Sequence, residues 1–562
     1  MDNGNLERAA MVMDWLGNVA GVSEVVVCAG ARNTPLLVAA EQNDALTCWR
    51  HFDERSAGFF ALGRAQSSGD PVAVVVTSGT AVAELMPAVV EAHYSGVPLV
   101  VVAGDRPADW RGGGAPQSIE HSGIFGTYAI EADLIGGGEA DFERLVGLRE
   151  RWTGRGAAFV NVCFSEPLLA GELTLPDELS FEDGDEPLED VDFGWCDALL
   201  DEIDESRVCV VVGDVDEGDR RDVAAGLAKL GLPVWAEVTS GMQAEPVLHE
   251  LLIGDLVGVL SQPALCPQRV VRVGGVPNGR FWRDLEDRAD IAVTCVSPTG
   301  LRGLGRTAGV TAAAGDVMAF VGYWGDRGPK VVDHDWLKRM YQVGAVLRER
   351  VAELVANFPQ SEVALVAGAL DQMRSADAVY LGNSLSIREA QLVCDGELSG
   401  GVFANRGANG IDGQLSSFFG CGIGRDEAWG LFGDLTTLYD FSAPWMLDQL
   451  AARSEGTRWR VVVINNGGGQ IFSRLPALAS MSDRARELLV NDSSNVDFAQ
   501  WADLWGMRHL LVADVAGWDG QALEDAWPML VELKPDSAQS DAFWDAYRKV
   551  SVDVHEAVAG AE

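Results

Sequence analysis

Two stretches of the 562-residue chain set oxygen donors directly after short apolar runs. In "LFGDLTTLYD" the carboxylate of Asp434 follows one run, and in "VVVINNGGGQIF" the amides of Asn465 and Asn466 follow another, with glycines 467–469 behind them. A carboxylate, a side-chain amide and a glycine carbonyl are hard oxygen ligands. Mg²⁺ takes such a set while keeping other positions for water or phosphate oxygens. Glycines lack a Cβ and let a diphosphate come close to the backbone. Thr436, at the start of the next helix, can donate to a phosphate. Either stretch alone reads as a helix-capping turn; on successive strands, together, they read as a metal–diphosphate site.

The N-terminal part carries a different set. "HFDERSAGFFALG" puts Glu54 at a helix start, where the helix dipole favours a carboxylate. "GARNTPL" puts Arg32 and Asn33 after one apolar run, "AGDRP" puts Arg106 after another, and the glycine-rich "RGGGAPQSIEHSGIFG" contains Gln117. A pair of arginines at the strand ends of one sheet makes a carboxylate pocket, because a guanidinium can bind a carboxylate with parallel hydrogen bonds.

The elements that must position these groups alternate along the chain. "SEVVVCAG" (23–30), "VAVVVTSGT" (72–80) and "VPLVVVAGDRP" (97–107) read as strands, and "AVAELMPAVVEAHYSG" (81–96) as a helix between the last two, with Ser78 and Thr80 as candidate N-caps. Strands this uniformly apolar belong to a parallel sheet covered on both faces. The acidic "FEDGDEPLEDVD" (181–192) reads as a solvated linker. "SRVCVVVGDVDEGD" opens a second unit, with strands expected at 269–275 and 290–296 and a second break at 324–335. The helical "WLKRMYQVGAVLRERVAELVANF" opens a third, with strands at 378–384, 429–435, 459–466, 508–515 and 529–536. The expectation is an α/β fold of three consecutive doubly wound parallel-sheet domains, at 1–180, 193–325 and 335–562. In such sheets ligands sit beyond the carboxyl ends of the strands, where the residues above lie.

Composition narrows the partners. Lys and Arg number 42 against 84 Asp and Glu, a formal net charge of −42. No nucleic-acid partner is expected, since such a partner needs a basic face, and an anionic membrane surface would be repelled. An anionic substrate must be met by local arginines. The nine cysteines are scattered without a C-x-x-C pair, as in a cytoplasmic protein with reduced thiols. The N-terminus lacks the pattern of a signal peptide, and no apolar run reaches the ~18 residues of a membrane helix, so no membrane insertion is expected. The seven histidines form no metal-binding spacing.

The pair "GDLT" and "NNGGGQIF" resembles the metal motif of the thiamine-diphosphate (ThDP) enzymes. With "GARNTPL", "DERSAGFFALG", "TSGTAVAELMPAVVEAHYSGVPL", "GDRP", "GNSLSIREA" and "NRGANGIDG", the chain resembles one branch of that family in particular. This is the menaquinone-biosynthesis branch, which joins 2-oxoglutarate to isochorismate with loss of CO₂. The likeness runs over about residues 20–130 and 378–480.

The resemblance implies pyrimidine-binding, middle and diphosphate-binding domains in that order. It implies a homodimer or dimer of dimers, with ThDP between the first domain of one subunit and the third of another. Glu54 is then the catalytic glutamate that hydrogen-bonds the aminopyrimidine N1′ and favours its imino tautomer. Burial suits that role by raising its pKa toward the working range. Asp434, Asn466 and Gly468 hold Mg²⁺, or Mn²⁺ in its place; a register slip by one residue would make Asn465 the ligand. Leu435, Thr436 and Gln470 complete the diphosphate end, with Ile411 as the apolar wedge that keeps ThDP bent. Ser384 and Ile471 face both cofactor and substrate. Arg32, Asn33, Arg106 and Gln117 bind substrate from the first domain. Arg388 and Arg406 bind it from the third, beside Phe472 and Leu475. Arg280 matches a further basic contact loosely.

Two positions depart from the family pattern: Ala31 stands where serine is usual, and Gly467 where a third asparagine is common. A carboligase or decarboxylase of acetolactate-synthase type is the alternative. It would share Glu54, Asp434 and Asn466 but would not require the arginines. A dinucleotide-binding dehydrogenase would need G-x-G-x-x-G between a strand and a helix, and the chain has none in that context.

Overall fold

The computed structural model describes all residues except 1–3, 175–193, 204, 395, 397, 454–455, 474–477, 479–480, 483, 486–487, 489, 491–495, 519, 526–527 and 561–562. The expected linker at 181–192 therefore lies outside the described residues. The chain forms two compact units. One comprises Met1–Glu189, Gly407–Gly424 and Tyr439–Gly456; the other comprises Asp190–Arg406, Arg425–Leu438 and Thr457–Glu562.

Unit one is built on a six-stranded sheet of β1 (Glu24–Cys28), β2 (Thr47–His51), β3 (Val72–Val76), β4 (Leu99–Asp105), β5 (Ala129–Leu134) and β6 (Ala157–Cys163). Their order is β2-β1-β3-β4-β6-β5, and every pairing is parallel. Every residue of β3, β4 and β6 is buried, as a sheet covered on both faces requires. Each fully buried valine there contributes about 1.5–3 kcal/mol from desolvation.

The helix Glu54–Ser68 begins at Asp53, whose carboxylate accepts from Ser56 N–H at 3.3 Å, and ends at Gly69 with φ 76°. It packs on the helix Gln414–Cys421 of the same unit at backbone distance. A Cβ on Gly63 would lie 2.0 Å from the Ser417 carbonyl oxygen, and one on Gly420 would lie 2.2 Å from that of Phe60. Only glycine permits this approach. Buried Asp440 ties the pair together, accepting from Ser56 Oγ at 2.9 Å and Ser416 N at 2.8 Å.

Unit two holds two sheets. The first contains β7 (Val208–Val212), β8 (Val234–Ala236), β9 (Arg269–Val273), β10 (Ala292–Ser297) and β11 (Val310–Ala314), in the order β11-β10-β9-β7-β8. The second contains β12 (Ala378–Leu381), β13 (Gly401–Phe403), β14 (Glu427–Gly433), β15 (Arg458–Ile464), β16 (Arg508–Val512) and β17 (Met529–Leu533), in the order β13-β12-β14-β15-β17-β16. All pairings are again parallel. The expected architecture of three parallel α/β sheets is therefore present. Among the described residues no helix is long and apolar enough to cross a membrane.

The sequence reading differs from the fold in three places. The helix expected over 81–96 is interrupted, running as Thr80–Ala83 and then Met86–Ser95. Pro87, which lacks an N–H, sits in the first turn of the second piece, where that loss is tolerated. Neither Ser78 nor Thr80 is the N-cap: Gly79 takes that position at φ 85°, with no side-chain cap bond, and Ser78 serves another partner described below. Strands β2, β5 and β11 were not expected, because their partial exposure dilutes the apolar signal. Strands β8 and β13 are only three residues long, and β6 was missed although wholly buried.

Candidate active site

In the third sheet, β14 ends at Gly433 and Asp434 opens the short helix Asp434–Tyr439. Asp434 is 2% exposed. Its Oδ1 accepts from Leu435 N at 2.7 Å, and its Oδ2 accepts from Gly467 N at 3.0 Å and Gly468 N at 2.9 Å. Both glycines have positive φ, 87° and 114°, a backbone that side chains strain. That conformation aims consecutive N–H groups at one carboxylate oxygen and ties the end of β15 to the end of β14.

The asparagines between them are held by their nitrogens. Asn466 Nδ2 donates to Glu362 Oε1 at 2.9 Å, and Asn465 Nδ2 donates to Glu532 Oε1 at 2.6 Å. Glu532 Oε2 lies 2.8 Å from His509 Nε2. The Oδ1 atoms of both asparagines are buried without a hydrogen-bond partner. A buried acceptor left this way is costly, and a hard cation is a natural partner for it. The donor set thus fits Mg²⁺ on the chemistry of its atoms.

Around this point Thr436 is buried and Leu435 half-buried. The Gly468 carbonyl accepts from Gln470 N at 2.7 Å, and Gln470 Nε2 reaches the Asn466 carbonyl at 3.4 Å. Ile471 and Phe472, on the short helix Gln470–Ser473, are half-buried. Leu475 lies outside the described residues.

The same unit gathers a basic cluster. Ser384 follows β12 with φ 75°, strained for a residue with a side chain. Arg388 donates from Nη1 to the Ser384 carbonyl. Arg406 is buried; Nη1 donates to Asn383 Oδ1 at 2.8 Å and Nη2 pairs with Glu237. Burial, and then the neighbouring charge of Arg406, push the Arg388 pKa down. Glu237 follows β8 and was missed by sequence reasoning. No spacing in the sequence links it to Arg406, with which it meets only in the fold.

In unit one, Arg32 is buried, with Nη1 donating to the Phe164 carbonyl at 3.0 Å and Nη2 paired with exposed Glu166 at 3.0 Å. Arg106 donates to Ser78 Oγ at 2.9 Å and to the Pro116 carbonyl at 3.0 Å. The two guanidinium groups feel each other: burial first, then the charge of Arg106, lowers the Arg32 pKa. Asn33 is fully buried and braces its loop, donating to the Cys28 carbonyl and accepting from Gly30 N, each at 2.9 Å. Gln117 is exposed at φ 55°, against Gly79.

His121, another residue the sequence reading passed over, supports this loop. Its Nε2 accepts from Gly79 N at 3.0 Å, which puts the ring proton on Nδ1, and Nδ1 donates to Asn161 Oδ1 at 2.8 Å. Nothing local in the sequence distinguishes it from the other histidines.

Glu54 is half-buried at the first position of its helix. Burial, opposed in part by a backbone hydrogen bond and assisted by the charges of Asp53 and Glu84, holds its carboxyl above the usual carboxylate range. Ile411 is half-buried in the bend between Asn409 (φ 62°) and Gly413 (φ 64°) that leads into the helix packed on the Glu54 helix. Arg280 is exposed and lies 3.5 Å from Asp284 on its own helix. Ala31 is exposed.

Residues 7–124, which include Arg32, Glu54 and Arg106, match a family model described as "Thiamine pyrophosphate enzyme, N-terminal TPP binding domain". The chain is 38% identical to the 2-succinyl-5-enolpyruvyl-6-hydroxy-3-cyclohexene-1-carboxylate synthase of Akkermansia muciniphila, over 93% of this chain and 95% of that protein. It is 35% identical to the synthase of the same name from Bdellovibrio bacteriovorus, over 97% of this chain and 98% of that one. Its identity to the Halobacterium salinarum synthase is 31%, over 96% and 97%.

Proposed function

Because the chain belongs to the family of 2-succinyl-5-enolpyruvyl-6-hydroxy-3-cyclohexene-1-carboxylate synthases, we propose that the ends of β14 and β15 hold the cation and diphosphate of ThDP and that the arginines hold the substrate carboxylates. The protein is a ThDP-dependent enzyme of menaquinone biosynthesis. It decarboxylates 2-oxoglutarate and adds the remaining four-carbon fragment to isochorismate.

The observation that carries this reading is the arrangement at residues 434 and 466–468. One carboxylate is fixed by consecutive glycine N–H groups, beside an amide whose oxygen is buried without a donor. Asp434, Asn466 Oδ1 and the Gly468 carbonyl would hold Mg²⁺, and Leu435, Thr436 and Gln470 would line the diphosphate. When bound, ThDP accepts the electron pair released as CO₂ leaves. Glu54 would exchange a proton with the aminopyrimidine nitrogen, and burial, which raises its carboxyl above the usual carboxylate range, suits that role. Arg32, Arg106, Arg388 and Arg406 would orient the carboxylates of 2-oxoglutarate and isochorismate. Ser384, Gln117 and Asn33 set the loops around them. Ile471 and Phe472 would keep water from the reacting carbons, and Ile411 would offer the cofactor an apolar contact; Leu475, the third residue expected here, lies outside the described residues.

The three domains at 1–180, 193–325 and 335–562 would act in a homodimer or dimer of dimers in the cytoplasm, with ThDP shared between subunits. The arginines weigh against the acetolactate-synthase-type alternative, whose small monocarboxylate substrate needs fewer cations. The test mixes protein, ThDP, Mg²⁺, 2-oxoglutarate and isochorismate and follows isochorismate absorbance. Loss of the absorbance is expected, abolished by EDTA. Turnover of pyruvate in place of 2-oxoglutarate would overturn the assignment.

A further inference from the structure

We propose that Glu362 is the positioning residue that fixes which end of the Asn466 amide faces the cation. The inference rests on the metal reading given above. A side-chain amide has one acceptor end and one donor end, and only the oxygen can ligate a cation. A rotation of about 180° around the terminal torsion exchanges the two, and that torsion is broad and roughly two-fold. Something must therefore hold the nitrogen away from the metal.

Glu362 does so. Its Oε1 accepts from Asn466 Nδ2 at 2.9 Å, so the amide's donor end is the one that faces Glu362. The nitrogen is pinned on that side, and Oδ1 is the atom left buried without a protein donor. The mount is rigid. Glu362 is 2% exposed and opens the helix Glu362–Gln372. That helix is capped by Ser361 Oγ, which accepts from Ala364 N at 3.2 Å, and Glu362 N itself donates to Ser540 Oγ at 2.9 Å.

Asn465 is held in a similar way by Glu532, but successive strand-end residues face opposite sides of a sheet. Asn466 directly precedes the glycines whose N–H groups grip Asp434, and this marks it as the member of the pair on the cation's side.

The test measures Mn²⁺ bound by the ThDP-loaded protein from the free-ion signal in electron paramagnetic resonance, so that activity is not the readout. Glu362→Leu removes the acceptor and is expected to weaken Mn²⁺ binding by about tenfold to a hundredfold, the range for residues that orient a metal ligand. Glu362→Gln keeps an acceptor oxygen and stays within about threefold of the parent, a difference small beside that range. The decisive arm is the same Leu change in an Asn466→Asp background. Both aspartate oxygens can ligate, no orientation is needed, and Glu362→Leu no longer weakens binding.

An equal loss in both backgrounds overturns the inference, as does a Gln variant as weak as the Leu variant; the Gln result stands alone if the Leu variant does not fold. Asp434→Ala separates the two levels of argument. If it abolishes Mn²⁺ binding while Glu362→Leu does not weaken it, the inference fails and the metal reading survives. If Asp434→Ala leaves Mn²⁺ affinity unchanged, the metal reading itself is wrong.

Discussion

The first and third sheets share one strand order but carry different chemistry at matching strand ends. In chain order each sheet runs second, first, third, fourth, sixth, fifth strand across its width. After the first strand come Arg32 in one sheet and Ser384 in the other. After the third come Ser78 and Asp434, and after the fourth come Arg106 and the Asn465–Asn466 pair. In the first sheet the cations are already answered by weak acceptors: two carbonyls, a hydroxyl and the exposed carboxylate of Glu166. In the third, backbone N–H groups lock a carboxylate, and the amide oxygens of both asparagines have no donor. One topology thus presents different groups at matching strand ends, and the residues there, not the fold, decide what each sheet can bind. The first sheet's arginines end on neutral groups and one exposed carboxylate; the third sheet's carboxylate is held by its own backbone.

The largest effect expected is from Glu54→Gln, which should bind ThDP almost normally and lose about 10²–10⁴-fold in turnover, the size of a general acid–base contribution. Near-parent turnover would detach Glu54 from the chemistry. The same variant has a pH signature. Because folding raises the Glu54 pKa, its stabilising contribution is complete only below the ordinary carboxylate range, near pH ~4, and is lost as pH rises through the raised value. Glu54→Gln should therefore melt at or above the parent temperature at pH 8, with the gap closing toward acid, as read by calorimetry.

Next in size, Arg32→Ala should raise KM for a carboxylate substrate by about tenfold to a hundredfold, from ~1.5–3 kcal/mol for a charged hydrogen bond. Mg²⁺-dependent ThDP binding should stay unchanged in calorimetry. A loss of ThDP binding instead would erase the division between the two sheets. The smallest effect is from Glu166→Gln. It frees Arg32 from an exposed ion pair of ~0.2–1 kcal/mol and should lower the same KM about twofold. A rise would mean that Glu166 orients Arg32 rather than competing for it.

The parallel sheets were legible because uniformly apolar runs such as Val72–Val76 and Val461–Ile464 have few other uses. The edge strand Val310–Ala314 and the three-residue strands Val234–Ala236 and Gly401–Phe403 gave too little periodicity. The placement of Asp434, Asn466 and their glycines was readable because they sit within a few residues of a strand end. Glu362, Glu237 and His121 were not, since each acts on a residue far along the chain and looks alone like any buried polar group; Ser78 stood out only as a helix cap, not as the partner of Arg106. Gly63 and Gly420 likewise gave no sign that they bring two helix backbones together.

The sequence by itself determined the α/β class, the strand ends that carry oxygen donors and arginines, and the helix start that carries Glu54. These depend on periodicity and residue type, which are local. Only the tertiary structure decided which atoms of those residues are already engaged: the N–H groups on Asp434, the nitrogen but not the oxygen of Asn466, the acceptors of Arg32 and Arg106. Hydrogen bonding is directional and acts over about 3 Å, so it depends on segments the chain brings together only when folded.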